Sequence, residues 1–204
     1  MILKAPAFGE GQRIGLFGGS FNPAHYGHYR VALYALKRLD LDWVWWLVSP
    51  QNPLKDPAET GEYAGRLAGA RAIARHPRFA VTGIEHQIGA RTTAETLRAL
   101  APVLRRGHFV WIMGADSFAG LHRWHDWLEI MEALPIAVLA RPGYSLRALG
   151  GPAATRFSEA QVPTELAPRL VTMRPPAWCF IPMPLRPESS TAIRKGQGFA
   201  APAP

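Results

Sequence analysis

Short apolar runs alternate with amphipathic segments from residue 13 to residue 140, and this alternation constrains the fold more than any other feature of the chain. The apolar runs have the length of strands, and the segments between them carry apolar residues at helical spacing. Strands that are joined through helices run parallel, and helices then cover both faces of the sheet. Right-handed crossovers therefore predict an α/β fold, a single Rossmann-like, doubly wound, mainly parallel sheet with helices on both faces.

The pattern also predicts where the elements begin and end. Strands are expected at residues 13–17, 43–49, 79–82, 108–113, 136–140 and 178–181. Helices are expected at residues 25–39, 63–75, 92–100, 124–133, 165–170 and 189–195. Residues 150–177 are rich in Pro, Ala, Gly and Thr, which predicts a largely irregular connection. We expect one domain over residues 1–204, with its core at about residues 12–196 and mobile termini.

The composition favours a protein of the cytoplasm. Of the 204 residues, 48% are hydrophobic, so the chain can bury a core. Cys179 is the only cysteine, which excludes an internal disulfide and fits a reducing compartment. It lies in an apolar run, so we expect a buried structural thiol. Residues 1–12 lack the apolar core of a signal peptide, and no apolar run approaches the roughly 20 residues that span a bilayer.

A formal net charge of +8 raises the question of a nucleic-acid partner. The arginines are scattered along the chain, and no dense basic tract with interleaved aromatic residues is present. Attraction to small phosphate-rich ligands is therefore a sufficient explanation of the charge. We expect no nucleic-acid or membrane partner, and the sequence leaves room for a homo-oligomer.

The most informative stretch is residues 19–28, GSFNPAHYGH, between the first predicted strand and the first predicted helix. Gly18 and Gly19 are expected to let the backbone turn tightly and approach a ligand closely. His25 and His28 are three residues apart at the helix start and share one face. The free N–H groups and the positive end of the helix dipole favour a phosphate at the same place. Two imidazoles beside such a site predict chemistry on a phosphoanhydride.

A second candidate phosphate site is the segment PESSTAIR at residues 187–194. Its consecutive hydroxyl groups cap a predicted helix and can donate to an anion. Arg194 follows Thr191 by three residues, so its guanidinium can reach the same anion. An ordinary capped surface helix is the alternative interpretation of this segment.

Two further candidate ligand contacts lie after the fourth predicted strand. Asp116 can accept hydrogen bonds from a ribose, or it can cap the next turn. Trp124 can stack on a flat heteroaromatic ring, although a tryptophan is more often part of the core.

Two further segments offer anion contacts. Lys55 lies in the proline-rich loop at residues 50–57, where it can be held over a phosphate or be solvated. The segment Arg91-Thr92-Thr93 opens a predicted helix and offers N–H donors to an anion such as a carboxylate.

Together these residues resemble a known family. Residues 19–28 look like the signature of the nucleotidyltransferases with the HxGH motif, and the longer Ser-Phe-Asn-Pro form is similar to bacterial nicotinate-nucleotide adenylyltransferases. The Lys55 loop, residues 91–97, 114–116 and 141–143, Trp124 and residues 189–194 follow in that family's order. The resemblance covers residues 12–196. At residues 93–94 this chain has small side chains where many members have an aromatic one.

The resemblance implies transfer of an adenylyl group from ATP to nicotinate mononucleotide, with release of pyrophosphate, in NAD synthesis. It implies catalytic roles for His25, His28 and Arg194. Implied contacts to ATP come from Gly18, Gly19, Ser20, Phe21, His25, His28, Asp116, Ser189, Ser190, Thr191 and Arg194. Implied contacts to the mononucleotide come from Asn22, Lys55, Arg91, Thr92, Thr93, Asp116 and Trp124. Mg²⁺ is expected to accompany ATP without a dedicated protein site.

The sequence leaves other functions open. A sister adenylyltransferase would use another phosphate acceptor, such as nicotinamide mononucleotide or phosphopantetheine. A class I aminoacyl-tRNA synthetase shares a similar motif but needs a longer chain and a lysine-rich second loop. A non-catalytic nucleotide-binding or RNA-binding protein would bind its ligand without releasing pyrophosphate.

Overall fold

The computed structural model describes residues 4–50 and 61–184. Six strands form one sheet in which every neighbouring pair is parallel, in the order β3-β2-β1-β4-β5-β6. The strands are β1 Arg13–Gly19, β2 Trp43–Val48, β3 Phe79–Thr82, β4 His108–Gly114, β5 Ile136–Leu139 and β6 Trp178–Ile181. The predicted Rossmann-like α/β fold is confirmed, and the predicted strands agree with these bounds within two residues.

Nine α-helices lie within the described residues. They are α1 Tyr26–Arg38, α2 Tyr63–Ile73, α3 Ile84–Ile88, α4 Thr93–Leu104, α5 Ala115–Ala119, α6 Trp127–Ala133, α7 Ser145–Leu149, α8 Pro152–Arg156 and α9 Ala167–Leu170. Short 3₁₀ turns cover Leu121–Arg123, Ser158–Ala160 and Thr164–Leu166. None of the helices in this part of the chain has the length and apolar content needed to cross a lipid bilayer.

Three predictions of local structure are wrong. The helix expected at residues 124–133 begins only at Trp127, because Asp126 before it adopts a left-handed backbone with φ 52°. The helix expected at 92–100 continues to Leu104, four residues further. Residues 150–177 are not a largely irregular connection, since α8, two 3₁₀ turns and α9 lie within them. The helix expected at 189–195 and the mobile tail lie outside the described residues.

The core has two halves, one on each face of the sheet. Alternate residues of a strand point to opposite faces, so Ile14 and Leu16 pack in one half while Phe17 packs in the other. Every residue of β2 except Trp43 is buried, as expected of a strand that is covered on both faces. Cys179 is fully buried in the second half, and burial raises its thiol pKa to about 11. The prediction of a buried structural thiol is therefore confirmed.

The strand order places the ligand crevice. The chain moves outward from β1 to β2 and β3 on one side, and to β4, β5 and β6 on the other. The connections therefore diverge between β1 and β4, and ligands of such sheets bind beyond the carboxyl ends of the strands at this point. The loop that follows β1, with the His25–His28 motif, begins there.

Candidate active site

The start of α1 is built from its own two histidines. His25 is the N-cap residue with an extended backbone, and its Nδ1 atom accepts a hydrogen bond from the Gly27 N–H at 3.1 Å. In return, His28 Nδ1 accepts from the His25 N–H at 3.2 Å. This is the reciprocal geometry of a capping box, with imidazoles in place of the usual side chains. The two ring centroids lie 3.8 Å apart, so the predicted shared face is confirmed.

These hydrogen bonds fix which nitrogen carries the proton. Because each Nδ1 accepts from a main-chain N–H, a neutral ring must hold its proton on Nε2. The Nε2 atom of His25 is buried and has no hydrogen-bond partner among the residues that the structure describes. An unpaired buried donor is unfavourable, so this atom is suited to a ligand oxygen.

His25 is uncharged at neutral pH. Burial, followed by the positive charge of Arg141, lowers its pKa from 6.5 to about 4. His25 as a residue is 5% exposed, which explains why burial is the larger cause. His25 can therefore offer a phosphate an N–H group but no net charge.

An aromatic floor supports the loop between β1 and α1. Phe21 packs edge to face with His28, with 5.0 Å between ring centroids, and stacks on Trp46 at the same distance. Phe17 packs on both Phe21 and Trp46. The imidazole of His28 therefore rests on a rigid apolar surface.

Gly18 and Gly19 do not make the turn that the sequence suggested. They are the last two residues of β1, and the left-handed residue of this loop is Phe21, with φ 44°. A Cβ atom on Gly18 would lie 2.6 Å from the ring of Trp111, and one on Gly19 would lie 3.1 Å from the ring of Phe21. These glycines make room for aromatic side chains at the end of the strand.

Asp116 and Arg141 form an ion pair at the same edge of the sheet. Asp116 lies in the first turn of α5, directly after β4, and Arg141 lies two residues beyond the end of β5. Their Oδ2 and Nη1 atoms are 3.2 Å apart. Asp116 does not cap α5, whose N-cap is Gly114. The influence of Arg141 on the pKa of His25 links this pair to the histidines.

Arg141 was not among the predicted site residues. Its position in the sequence resembles that of Asp116, because both are charged residues just beyond an apolar strand. In a parallel sheet both positions fall at the carboxyl edge.

The predicted anion site at the start of α4 is partly filled by the protein itself. Thr92 is the N-cap, and Glu95 completes a capping box. The Glu95 carboxylate accepts from the N–H groups of Arg91, at 2.7 Å, and Thr92, at 3.3 Å. These hydrogen bonds, chiefly that from Arg91, lower the pKa of Glu95. The first-turn amides that precede Glu95 and are not bound by it belong to Thr93 and Ala94.

The structure places two of the other predicted site residues, Asn22 and Trp124. Asn22 Oδ1 accepts from the Gly61 N–H at 3.3 Å, which ties the loop after β1 to the residues before α2. Trp124 is half-buried against the core and follows a 3₁₀ turn. Five predicted residues lie outside the described residues, so the structure does not place them: Lys55, Ser189, Ser190, Thr191 and Arg194.

Glu85 is a buried carboxyl group that the sequence analysis missed. It is 6% exposed, and Thr96 Oγ1 donates to its Oε1 atom at 3.3 Å. The side chain of Ser49, which lies just after β2, also forms a hydrogen bond with the Glu85 carboxyl group. Burial, partly offset by these two bonds, raises its pKa from 4.5 to about 7. Glu85 thus joins the end of β2 to the first turns of α4.

The sequence matches a known family over most of its length. The family model described as cytidylyltransferase-like matches residues 16–196. A relative from Cereibacter sphaeroides, named "Probable nicotinate-nucleotide adenylyltransferase", is 54% identical over 181 residues, which are 89% of this chain and 95% of the relative. A relative of the same name from Methylorubrum extorquens is 53% identical over 182 residues, 89% of this chain and 98% of the relative.

A solved structure shares the fold. The Plasmodium falciparum nicotinic acid mononucleotide adenylyltransferase, complexed with NaAD, has a TM-score of 0.64 at 16% identity and covers 90% of this chain and 83% of its own. The family model and the two relatives show that the chain belongs to the cytidylyltransferase-like nucleotidyltransferases and, within them, to the nicotinate-nucleotide adenylyltransferase family.

Proposed function

We propose that this enzyme transfers the adenylyl group of ATP to nicotinate mononucleotide and releases pyrophosphate, as a step of NAD synthesis. The observation that carries the proposal is the pair of closely packed imidazoles at the start of α1, where the buried Nε2 of His25 has no partner among the described residues. The names of relatives about 50% identical over most of the chain agree with it. The single buried cysteine favours action in the cytoplasm.

The reaction needs no covalent enzyme intermediate. A phosphate oxygen of the mononucleotide attacks the α-phosphorus of ATP, the bond from that phosphorus to the bridging oxygen breaks, and pyrophosphate leaves with the electron pair. The nucleophile is already an anion, so catalysis consists of positioning and of stabilising charge on the phosphate oxygens. Orientation alone can supply about 7–11 kcal/mol of the barrier reduction.

Each part of the site has a role in this reaction. His25 and His28 donate Nε2–H groups to the triphosphate, with His28 nearest the α-phosphate. Arg141 contributes positive charge beside the neutral His25. Ser189, Ser190, Thr191 and Arg194 bind the β- and γ-phosphates and the leaving pyrophosphate, and Lys55 assists at the phosphates.

The nucleotide-binding parts complete the proposal. Trp124 stacks on the pyridine ring, and Asp116 organises a ribose or the metal. Mg²⁺, bound mainly by phosphate oxygens and water, would neutralise charge on the triphosphate. The Asp116 carboxylate fits an indirect role with that ion, because it is 34% exposed and already paired with Arg141.

Preference for the acid over the amide follows from the start of α4. A carboxylate accepts hydrogen bonds from the main-chain amides of both Thr93 and Ala94. The NH₂ group of a carboxamide cannot accept a hydrogen bond, so one of these two main-chain N–H groups would be left unpaired. An unpaired buried donor costs about 1–3 kcal/mol, which predicts a ratio of specificity constants on the order of 10 to 100 in favour of nicotinate mononucleotide.

A competition assay measures this ratio directly. Nicotinate and nicotinamide mononucleotides are mixed at equal concentration with saturating ATP, and the two dinucleotide products are quantified by mass. The KM for ATP, determined with each acceptor alone, is the control for a difference that arises at the triphosphate. Equal specificity constants for the two mononucleotides would refute the proposed preference for the acid.

A further inference from the structure

Arg66 is a buried cation, and each of its three side-chain nitrogens donates to a main-chain carbonyl group. It lies on α2 and is only 5% exposed. Its Nε donates to the Gly61 carbonyl at 2.9 Å, and its Nη2 donates to that of Pro50 at 2.6 Å. Its Nη1 donates to the carbonyls of Ser20 and Ser49, both at 2.7 Å. Among the described residues it has no carboxylate partner, so these four carbonyls compensate the burial of the charge.

The four carbonyls belong to different segments. Ser20 directly follows β1, in the loop that leads to His25, whereas Ser49 and Pro50 directly follow β2. Gly61 lies just before α2. One guanidinium therefore joins the carboxyl ends of two neighbouring strands, at the edge of the sheet where the histidines lie. The planar fork of Arg suits this task, because its five donors have a fixed relative geometry.

Other contacts in this region act in the same direction. The Ser49 N–H donates to the Gly19 carbonyl at 3.0 Å, and the Gly61 N–H donates to Asn22 Oδ1. The guanidinium also lies 5.5 Å from the ring centroid of Tyr63. These contacts hold the loop after β1 in place together with Arg66, which contacts both strand ends and Gly61.

We propose that Arg66 is a positioning residue for adenylyl transfer, which holds the loop before His25 in register with the segment after β2. This inference rests on the proposed function. Arg66 itself contacts no substrate; it acts through the backbone that carries the histidines and through the residues that directly follow β2. Because in-line transfer depends on positioning, a displacement of about 1 Å can cost on the order of a hundredfold in rate.

The test compares conservative changes at two arginines of one helix. Arg66→Lys keeps the charge but replaces the planar fork, and Arg66→Met keeps only the apolar stem. Arg71 is exposed on the same helix, so Arg71→Lys and Arg71→Met are the matched controls. For each variant, kcat and the KM for both substrates are measured per folded molecule, with the folded fraction taken from thermal unfolding monitored by circular dichroism.

We expect Arg66→Lys to fold and to lose kcat about tenfold to a hundredfold, with a much smaller change in the KM for ATP. Arg66→Met is expected to lose more, while the Arg71 variants keep the wild-type kcat. A role in stability alone would lower the unfolding temperature but leave kcat per folded molecule unchanged. That result would overturn the proposal, as would failure of Arg66→Lys to fold, since the residue would then be required for folding and not for the geometry of the site.

The acceptor assignment is tested separately in the wild type. If the wild type fails to use nicotinate mononucleotide but uses another phosphate acceptor, the proposed substrate is wrong. The Arg66 and Arg71 variants are then compared with the acceptor that is used. A failure of the substrate assignment is thus seen in the wild type, and a failure of the Arg66 proposal is seen only in the variants.

Discussion

Replacing His28 with alanine is expected to lower kcat about tenfold to a thousandfold, because the loss of one preorganised donor at a site of developing charge costs up to about a thousandfold. The change removes an Nε2–H whose direction is fixed, because the Nδ1 atom of the same ring accepts from the His25 N–H. It also removes half of the capping box of α1. The measurement is steady-state pyrophosphate release with saturating ATP and nicotinate mononucleotide.

Two further variants separate the catalytic role of His28 from the capping role. His28→Gln keeps an acceptor for the His25 N–H, since Gln is a usual capping-box residue at this position, but it does not keep the Nε2–H donor. His28→Gln should therefore be more stable than His28→Ala but keep a low kcat. His108→Ala is the control, because His108 is exposed at the opposite end of the sheet, where β4 begins. Wild-type turnover in His28→Ala or His28→Gln would remove His28 from the mechanism.

Replacing Glu85 with glutamine is expected to remove a large part of the pH dependence of stability. The pKa of Glu85 is about 7 in the folded protein, against an ordinary value of 4.5. The folded state therefore binds this proton more tightly than the unfolded state, and the stability it contributes below pH 4.5 is lost as the pH rises through about 7. A shift of this size corresponds to a loss on the order of 3 kcal/mol in the free energy of unfolding.

The free energy of unfolding of the wild type and of Glu85→Gln is measured by chemical denaturation at a series of pH values between 5 and 8. The difference in unfolding free energy should change in favour of the glutamine variant as the pH rises, because glutamine stays neutral. His25 has the opposite effect, since its lowered pKa removes stability as the pH falls from 6.5 through about 4. Both proteins share that contribution, so it cancels. Glu132→Gln, at an exposed position, is the control. A constant difference across this range would show that Glu85 is not held neutral by burial.

The features that were predictable from the sequence are those that depend on neighbours along the chain. The alternation of strand and helix patterns predicted the six parallel strands, because each pattern reports the burial of a local face. The pairing of His25 and His28 was predictable for the same reason, since three residues at a helix start define a shared side.

The features that were missed depend on partners distant in the sequence. Gly18 needs to be small because the ring of Trp111 lies against it. Arg66 sits in a helical pattern beside exposed arginines. Of the four carbonyls that make its burial favourable, those of Ser20, Ser49 and Pro50 are distant in the sequence. The same holds for Glu85, whose partners Ser49 and Thr96 come from two other elements. Periodicity contains no information on such contacts.

We propose that the histidines at the start of α1 bind a triphosphate whose α-phosphate is attacked by nicotinate mononucleotide. The decisive measurement is to incubate the full chain with ATP, Mg²⁺ and, one at a time, nicotinate mononucleotide, nicotinamide mononucleotide and phosphopantetheine. Pyrophosphate and the mass of the organic product are measured together. We expect pyrophosphate and nicotinate adenine dinucleotide in equal amounts, with phosphopantetheine unchanged. Binding of ATP without release of pyrophosphate, or an adenylylated phosphopantetheine as the main product, would contradict the account.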